Sequence, residues 1–422
     1  MGKRVRLLVL DAHGAALGEF RCRVDAPWLQ ETSDVLGAAR AAGLDLAVLR
    51  LLAAAPELPT DGGDRECVYL AQALSAPPAG ALLAPSGPVP VDEHPLRMPY
   101  ARPNGVVGNL AWADDQLRAL GLERAGAGEQ QRTWNLSCVH RLPLTLEGTA
   151  WLKAVPPFFA HEGRVIDYIS RRDAAHGAGD TLRLPPLLAA DGARGLLLLE
   201  HCAGPLLWGI TPTAWAPVIA AHVDRQMRLH RDIAGLLATG MPDYRAAALL
   251  TALRELCARP DVLAAVPAAL HGPLADLIAA LPDRLSALAA CGLPDTLVHG
   301  DLHPGNVIGT ASGPVLLDWG DAGVGQPLLD LPALCHGFTA DQAREIRAIV
   351  AAVWRERLPQ ADVARAMALS TPLGALRQAL VYQRFLDAIE PAERHYHDSD
   401  VPERLAAAVA AAGQPAGQRS TS

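Results

Sequence analysis

Lysine is almost absent from this chain. Of its 37 basic residues only Lys3 and Lys153 are lysines, so 35 are arginines. Aromatic residues make up 5% of the 422 positions. The seven cysteines are scattered, odd in number and never in a C-x-x-C pair, which excludes a disulfide framework or a zinc knuckle and suits free thiols in a reducing compartment. No stretch approaches the roughly 18 apolar residues of a membrane span. The basic start and short apolar run of residues 3–10 meet Asp11 and Gly14 too early for a secretory signal. The chain is therefore expected to be cytoplasmic, without a membrane partner. A net charge of −8 disfavours non-specific nucleic-acid binding and is compatible with a cationic small-molecule partner. No H-E-x-x-H is present; His161-Glu162 is followed by Val165 and Ile166 where a second ligand would stand.

Half the residues are hydrophobic, and the length allows two or three domains, each with its own core. In residues 1–103 the pattern predicts strands over 4–10, 16–20, 45–53 and 67–74, a helix over 33–43, and loops over 56–64 and 76–90: a small α+β domain. Residues 104–130 hold a helix-period stretch, 108–121, that stops at Gly121 and runs into a joint. Residues 131–204 read as a β-rich lobe: strands around Thr133-Trp134, 138–142, 150–155, 187–188 and 196–199, with a helix from Phe158 onward. Residues 205–412 are mostly helical, with segments over 213–237, 249–257, 262–270, 274–291, 340–358, 360–370, 372–390 and 401–412. His222 and His230 on the first of these read as core or surface histidines. The tail, 413–422, is expected to be disordered. Lys153 lies inside the apolar run Ala-Trp-Leu-Lys-Ala-Val. In a chain so biased to arginine, a lysine there is best explained by a need for a compact ammonium.

The most informative stretch is 295–332. An apolar strand, Thr296 to Val298, leads into His299-Gly-Asp301-Leu-His303-Pro-Gly-Asn306. A short strand (Val307, Ile308), a turn at Ser312-Gly313 and a buried strand (Val315 to Leu317) then end on Asp318. Asp301 and Asn306 share one loop, and the hairpin returns Asp318 beside them. Asp and Asn oxygens suit a hard cation such as Mg²⁺, which keeps waters and takes further ligands from phosphate. Asp301 is then available to orient a hydroxyl and accept its proton. The alternating His299, Asp301 and His303 also admit a metal-dependent hydrolase, although His303 before Pro304 suits a loop-shaping role better.

His299-Gly-Asp301-Leu-His-Pro-Gly-Asn306 followed by Leu-Leu-Asp318-Trp-Gly resembles the catalytic loop and metal-binding segment of the aminoglycoside phosphotransferase and choline kinase family, relatives of the protein kinases. The resemblance spans about two-thirds of the chain. It implies an α/β (α+β) two-lobed, protein-kinase-like fold with a β-rich N-lobe (131–204) and a helical C-lobe (205–412), preceded by the small α+β domain. It implies ATP- and Mg²⁺-dependent phosphorylation of a hydroxyl on a small molecule. Asp301 would be the positioning base and Asn306 and Asp318 the metal ligands. Lys153 would hold nucleotide phosphates and Glu162 would orient it. Ser137 in the turn after the first lobe strand would cover phosphate, and Glu200 to Cys202 would meet the base at the hinge. His299 and Asp330 would brace the loop. The turn Asn135-Leu-Ser137 departs from the glycine-rich loop of protein kinases, and the Lys153–Glu162 gap is short.

Residues 1–103 faintly resemble a Nudix-type fold, but Ser33 to Gly43 lacks the metal-binding glutamates of that family's helix, which implies an accessory, substrate-covering or dimerising role. Asp387, Glu390, Glu393, Asp398 and Asp400 form an acidic cluster, read as a solvated charged surface. A non-catalytic binding protein of the same shape is the alternative from another class. A protein-directed kinase is disfavoured by the short return from Asp318 to Asp330. The acceptor, ATP against GTP, and the oligomeric state stay open.

Overall fold

The structure, a computed structural model, describes residues 2–26, 28–55, 64–90, 92–145, 148–175 and 181–413. Most of the loop expected over 56–64, the start of the turn at 146–149 and all but Gly413 of the expected tail lie outside them. Contacts divide the chain into two compact units. Met1–Ala160, Pro186–His201 and Phe385–Asp398 form the first; His161–Pro185, Cys202–Arg384 and Ser399–Ser422 form the second.

The first unit holds two sheets. Strands β1 (Lys3–Leu10), β2 (Ala16–Val24), β3 (Leu46–Ala54) and β4 (Arg65–Ala73) form a mixed sheet in the order β2-β1-β4-β3, with β1 and β4 parallel at its centre. Helix α1 (Ser33–Ala41) covers one face through Val35, Leu36 and Ala39. Its one carboxylate is Asp34, so it carries no acidic array. The near-continuous apolar run of β1 follows from burial on both faces. Val5, Leu7 and Val9 share a core with α1. Leu8 and Leu10 enter a second core with Tyr100, Val106, Cys138, Ala154, Leu196 and Ile389.

Val106 belongs to helix α2 (Gly105–Ala119), and the next three residues of that core belong to the other sheet. That sheet is antiparallel: β5 (Glu129–Trp134), β6 (Ser137–Pro143), β7 (Thr149–Ala154), β8 (Leu187–Asp191) and β9 (Leu196–Glu200), in the order β5-β6-β7-β9-β8. Gln130 ties the two sheets together. Its Oε1 accepts the Val48 N–H at 2.9 Å and its Nε2 donates to the Val48 carbonyl at 2.8 Å, on β3, the edge strand of its sheet.

The acidic cluster near the C-terminus is a correction. Glu390 and Glu393 are buried, 4% and 2% exposed, rather than solvated. Arg97 donates to Glu390 through Nη2 at 2.9 Å and Nε at 3.1 Å, and Arg50 lies 3.5 Å from it. Nothing in the local pattern shows that two arginines some 300 residues earlier pair with Glu390, or that burial beside Glu390 raises the Glu393 carboxyl. Asp387 and Asp398 are exposed.

The second unit contains helices α3 (Glu162–Ala175), α4 (Pro212–Leu229), α5 (Ile233–Ala238), α6 (Ala246–Ala258), α7 (Pro260–Ala265), α8 (His271–Ala279) and α9 (Leu281–Ala289). After them come α10 (Leu331–Leu334), α11 (Ala340–Arg357), α12 (Val363–Ala388, whose end passes into the first unit) and α13 (Asp400–Ala412). Two expected helices are each broken in two. The 213–237 helix ends at Leu229 and restarts where Asp232 caps the Gly235 N–H. The 274–291 helix breaks at Ala280, with Pro282 opening the next. Conversely, 360–370 and 372–390 join into α12 despite Pro372. The hydroxyls of Ser370 and Thr371 bond back to the Ala366 and Met367 carbonyls, beside the one that the proline leaves unpaired. Small strands β10 (Asp243–Tyr244), β11 (Thr296–Val298) and β14 (Gly323–Gly325) pair in the order β10-β14-β11, and β12 (Val307–Thr310) pairs with β13 (Gly313–Leu316) as a hairpin. Among the described residues no helix is long and apolar enough to cross a membrane.

Candidate active site

β11 delivers the chain into His299-Gly-Asp301, and the short helical turn Pro304–Asn306 returns it to β12. Asn306 closes this loop. Its Nδ2 donates to the Asp301 carbonyl at 2.9 Å and to Asp301 Oδ2 at 2.8 Å. One side chain thus fixes both the backbone and the carboxylate of Asp301. His303 caps the turn by accepting the Gly305 N–H on Nδ1, and its Nε2 lies 3.5 Å from Asp301 Oδ2.

The loop is held from behind by Asp330. Its carboxylate accepts the backbone N–H groups of Gly300 at 2.6 Å and His299 at 3.1 Å, His222 Nε2 at 2.8 Å and Gln226 Nε2 at 3.2 Å. Burial alone would raise the Asp330 carboxyl; His222 and the Gly300 amide outweigh it and hold the group below the usual range. His299 is buried, its Nδ1 accepting from the Asp301 N–H and its Nε2 donating to the Leu317 carbonyl at 3.1 Å. Burial pushes its pKa down to about 4, so the ring is neutral and both nitrogens are used internally. That leaves it unfit as a metal ligand and removes one member of the His299/Asp301/His303 hydrolase alternative.

The β12–β13 hairpin brings Asp318 back at φ 62°, ψ 70°, one of two non-glycine residues at positive φ among the described residues. Such a conformation costs of order 1–3 kcal/mol and gathers at functional sites. The next peptide, Trp319 N–H, donates to Glu162 Oε1 at 3.2 Å. Asp321 follows in the same turn. Its Oδ1 is buried without a hydrogen-bond partner, and burial with the charges of Asp301 and Asp318 pushes its pKa up to about 7, against the pull of Arg377. Arg377 on α12 bridges the two loops, donating to the Gly300 carbonyl at 3.2 Å and the Asp321 carbonyl at 2.7 Å. Gly300 has φ 86°, and a Cβ there would fall 2.2 Å from the guanidinium. Gly305 is constrained in the same way by the exposed Trp208, whose ring packs on His303 at 5.1 Å. His336 completes this aromatic group, 5.1 Å from His303.

Asp321, raised by its burial and by the charges of Asp301 and Asp318 and with one oxygen unpartnered, belongs to a set of oxygen donors short of positive charge. The set fits Mg²⁺. That ion is commonly bound through one or two carboxylates, with water and phosphate oxygens completing its shell.

Residues 144–369, more than half of the chain, match the model of the phosphotransferase enzyme family. The chain belongs to that family. The chain is 36% identical over 114 residues to stress response kinase A of Salmonella choleraesuis, an alignment covering 26% of this chain and 33% of that protein. The same identity and coverage hold for a serine/threonine protein kinase of Salmonella typhimurium. The chain thus spans about a third of the length of the curated relatives it matches. Among solved structures it is similar to a choline/ethanolamine kinase family protein of Mesorhizobium loti (19% identity, 72% of this chain and 95% of that one, TM-score 0.47). It is also similar to a macrolide 2′-phosphotransferase of Brachybacterium faecium (18%, 70% and 98%, TM-score 0.48). The antiparallel five-stranded sheet and the helix-rich second unit are the parts of a protein-kinase-like α+β fold.

Asp301, Asn306, Asp318, His299, Asp330 and Glu162 all belong to the second unit; Lys153, Ser137 and Glu200 belong to the first. Lys153 lies on β7, opposite Val139 and Leu197. Ser137 is buried, and its Oγ accepts the Trp134 indole N–H at 3.1 Å. The neighbouring Asn135 is buried too, its Nδ2 within 3.0 Å of His397 Nε2. The β5–β6 turn is thus anchored by side chains. Glu200 ends β9 exposed, and the division between units falls between His201 and Cys202. Sequence reasoning missed His222, Asp321, Arg377 and Trp208. Asp321 alone left a local signal, a second carboxylate three residues after Asp318.

Proposed function

We propose that the protein transfers the terminal phosphoryl group of ATP to a hydroxyl of a small molecule. The observation that carries this reading is the pair of hydrogen bonds that Asn306 Nδ2 donates to the backbone carbonyl and the carboxylate of Asp301. It presents one carboxylate oxygen in a fixed direction and leaves the Asn306 carbonyl oxygen for a cation. Asp301 orients the acceptor hydroxyl and takes its proton. The hydroxyl oxygen bonds to phosphorus, the bond from phosphorus to the bridging oxygen breaks, and ADP leaves. Asn306 and Asp318 would hold Mg²⁺, which when bound neutralises phosphate charge; Asp321 adds a second carboxylate to that set. Lys153 is proposed to neutralise nucleotide phosphate and Glu162 to orient the lysine. Glu200 to Cys202 are proposed to meet the base. The buried Ser137 hydroxyl is left out of the contacts.

The acceptor side is acidic and aromatic. Burial, with Asp400, Asp301 and Asp321, raises the Tyr382 hydroxyl pKa, and Trp208, His303 and His336 flank the loop. This supports a small, cationic acceptor. A second reading, transfer to a protein side-chain hydroxyl, is favoured by the relatives named as stress response and serine/threonine protein kinases. The test is thermal stabilisation by ATP or GTP with and without Mg²⁺. ADP release is then followed against amino alcohols, aminoglycosides, sugars and a protein acceptor. A Mg²⁺-dependent shift and release with a small acceptor support the first reading, and release with protein alone supports the second. No shift with either nucleotide sinks both and favours a non-catalytic binding protein.

A further inference from the structure

A cavity of about 130 Å³ lies in the second unit, at the end of β11 away from the catalytic loop. Leu249, Leu288, Leu293 and the Tyr244 ring supply apolar wall, and Asp295 and Gln326 supply the polar groups. Gln326 is 9% exposed, and its Oε1 accepts the Leu328 N–H at 2.6 Å, which fixes the orientation of the amide. Its Nε2 is then a buried donor with no hydrogen-bond partner among the described residues. Thr296 pairs with Gly325 across β11 and β14, so Asp295 stands opposite Gln326 at the end of that ladder. Burial raises the Asp295 carboxyl pKa. Nearby Arg245 opposes this but is itself forked onto Asp243 at 2.7–3.2 Å.

We propose that this cavity binds a small neutral amide carried on a compact apolar body, its carbonyl oxygen taken by Gln326 Nε2 and its N–H by Asp295. Size, shape and polarity agree. A cavity of about 150 Å³ holds benzene, so this one takes a ligand of about six non-hydrogen atoms. A hydrocarbon would leave the Gln326 donor buried and unpaired, and a carboxylate would meet Asp295. The site is separate from Asp301 but one side chain from its support. The Tyr244 ring lies 4.7 Å from the Arg377 guanidinium, which ties Gly300 to Asp321. Occupancy therefore acts on the residue that joins the two loops. Its effect on turnover rests on the phosphotransferase reading, whereas binding does not.

Isobutyramide and isobutyrate are titrated into the nucleotide-free protein, read by calorimetry and by thermal shift. Isobutyramide should bind saturably, and isobutyrate at least tenfold more weakly. Ala289→Leu fills the cavity from an exposed lining position without touching a hydrogen bond, and should abolish binding with melting unchanged. Gln326→Leu should weaken it at least tenfold. Equal binding of amide and acid, binding that survives Ala289→Leu, or no saturable binding would each overturn the proposal. The last would leave water as the occupant. Because no nucleotide is present, these outcomes do not depend on the catalytic reading.

Discussion

Asp330 gathers four donors on one buried carboxylate, and the loop from His299 to Asn306 hangs from two of them. Asp330→Ala would leave the Gly300 and His299 amides and His222 unpaired in the interior. The expected cost is about 3–5 kcal/mol, seen as a lower denaturant midpoint, together with loss of turnover. Glu393 gives a pH signature. Burial and neighbouring Glu390 push its pKa from 4.5 to about 8, so between those values the folded protein holds a proton that the unfolded chain releases. Its contribution is full below about pH 4.5 and is lost as pH rises through 8. Glu393→Gln should therefore gain stability relative to the wild type at pH 8 compared with pH 5, read as the difference in melting temperature. At this scale the sequence was legible where chemistry is local. Asp301, Asn306 and Asp318 are marked by spacing within 18 residues. His222 and Arg377 were not legible, because their partners lie 108 and 77 residues away along the chain and nothing in a helix pattern records which face meets a loop.

The elements around the site are short, and their geometry depends on single residues. β11 is three residues long, and the turn after it needs Gly300 at φ 86° beneath Arg377. Gly300→Ala adds a Cβ that must displace either the guanidinium or the Asp321 carbonyl, 2.5 Å away. Circular dichroism should show an intact fold, with melting lowered by about 1–3 kcal/mol equivalent and phosphoryl transfer reduced at least tenfold. The larger strands were legible because β-branched and leucine runs mark β1, β3 and β9. β14, Gly-Val-Gly, carries no such pattern and exists because β10 and β11 pair on either side of it. α12 misled in the other direction. Proline argues for a break, yet the helix runs through Pro372, and the adjacent hydroxyls bond to the Ala366 and Met367 carbonyls rather than to the one it frees.

At the scale of the molecule, the mixed sheet of residues 3–73 and the antiparallel sheet of 129–200 share one core within the first unit, closed by Ile389 near the C-terminus. No local pattern shows that a sheet is buried on its second face by residues 100 positions away, so sequence reading placed a domain boundary between them. A chain lacking residues 1–103 would expose Cys138, Ala154, Leu196 and Ile389 and take both Val48 partners from Gln130. It is expected in the insoluble fraction, and a monodisperse, cooperatively melting product would refute the shared core. The family was legible from one hairpin; the acceptor is written in side chains that several helices bring together, which spacing does not encode. The measurement that tests the central claim most directly is phosphoryl transfer by Asp301→Asn, with nucleotide binding followed on the same sample. The account predicts turnover lower by about 10²–10⁴-fold with the Mg²⁺-nucleotide thermal shift retained. Wild-type turnover in that variant would contradict it.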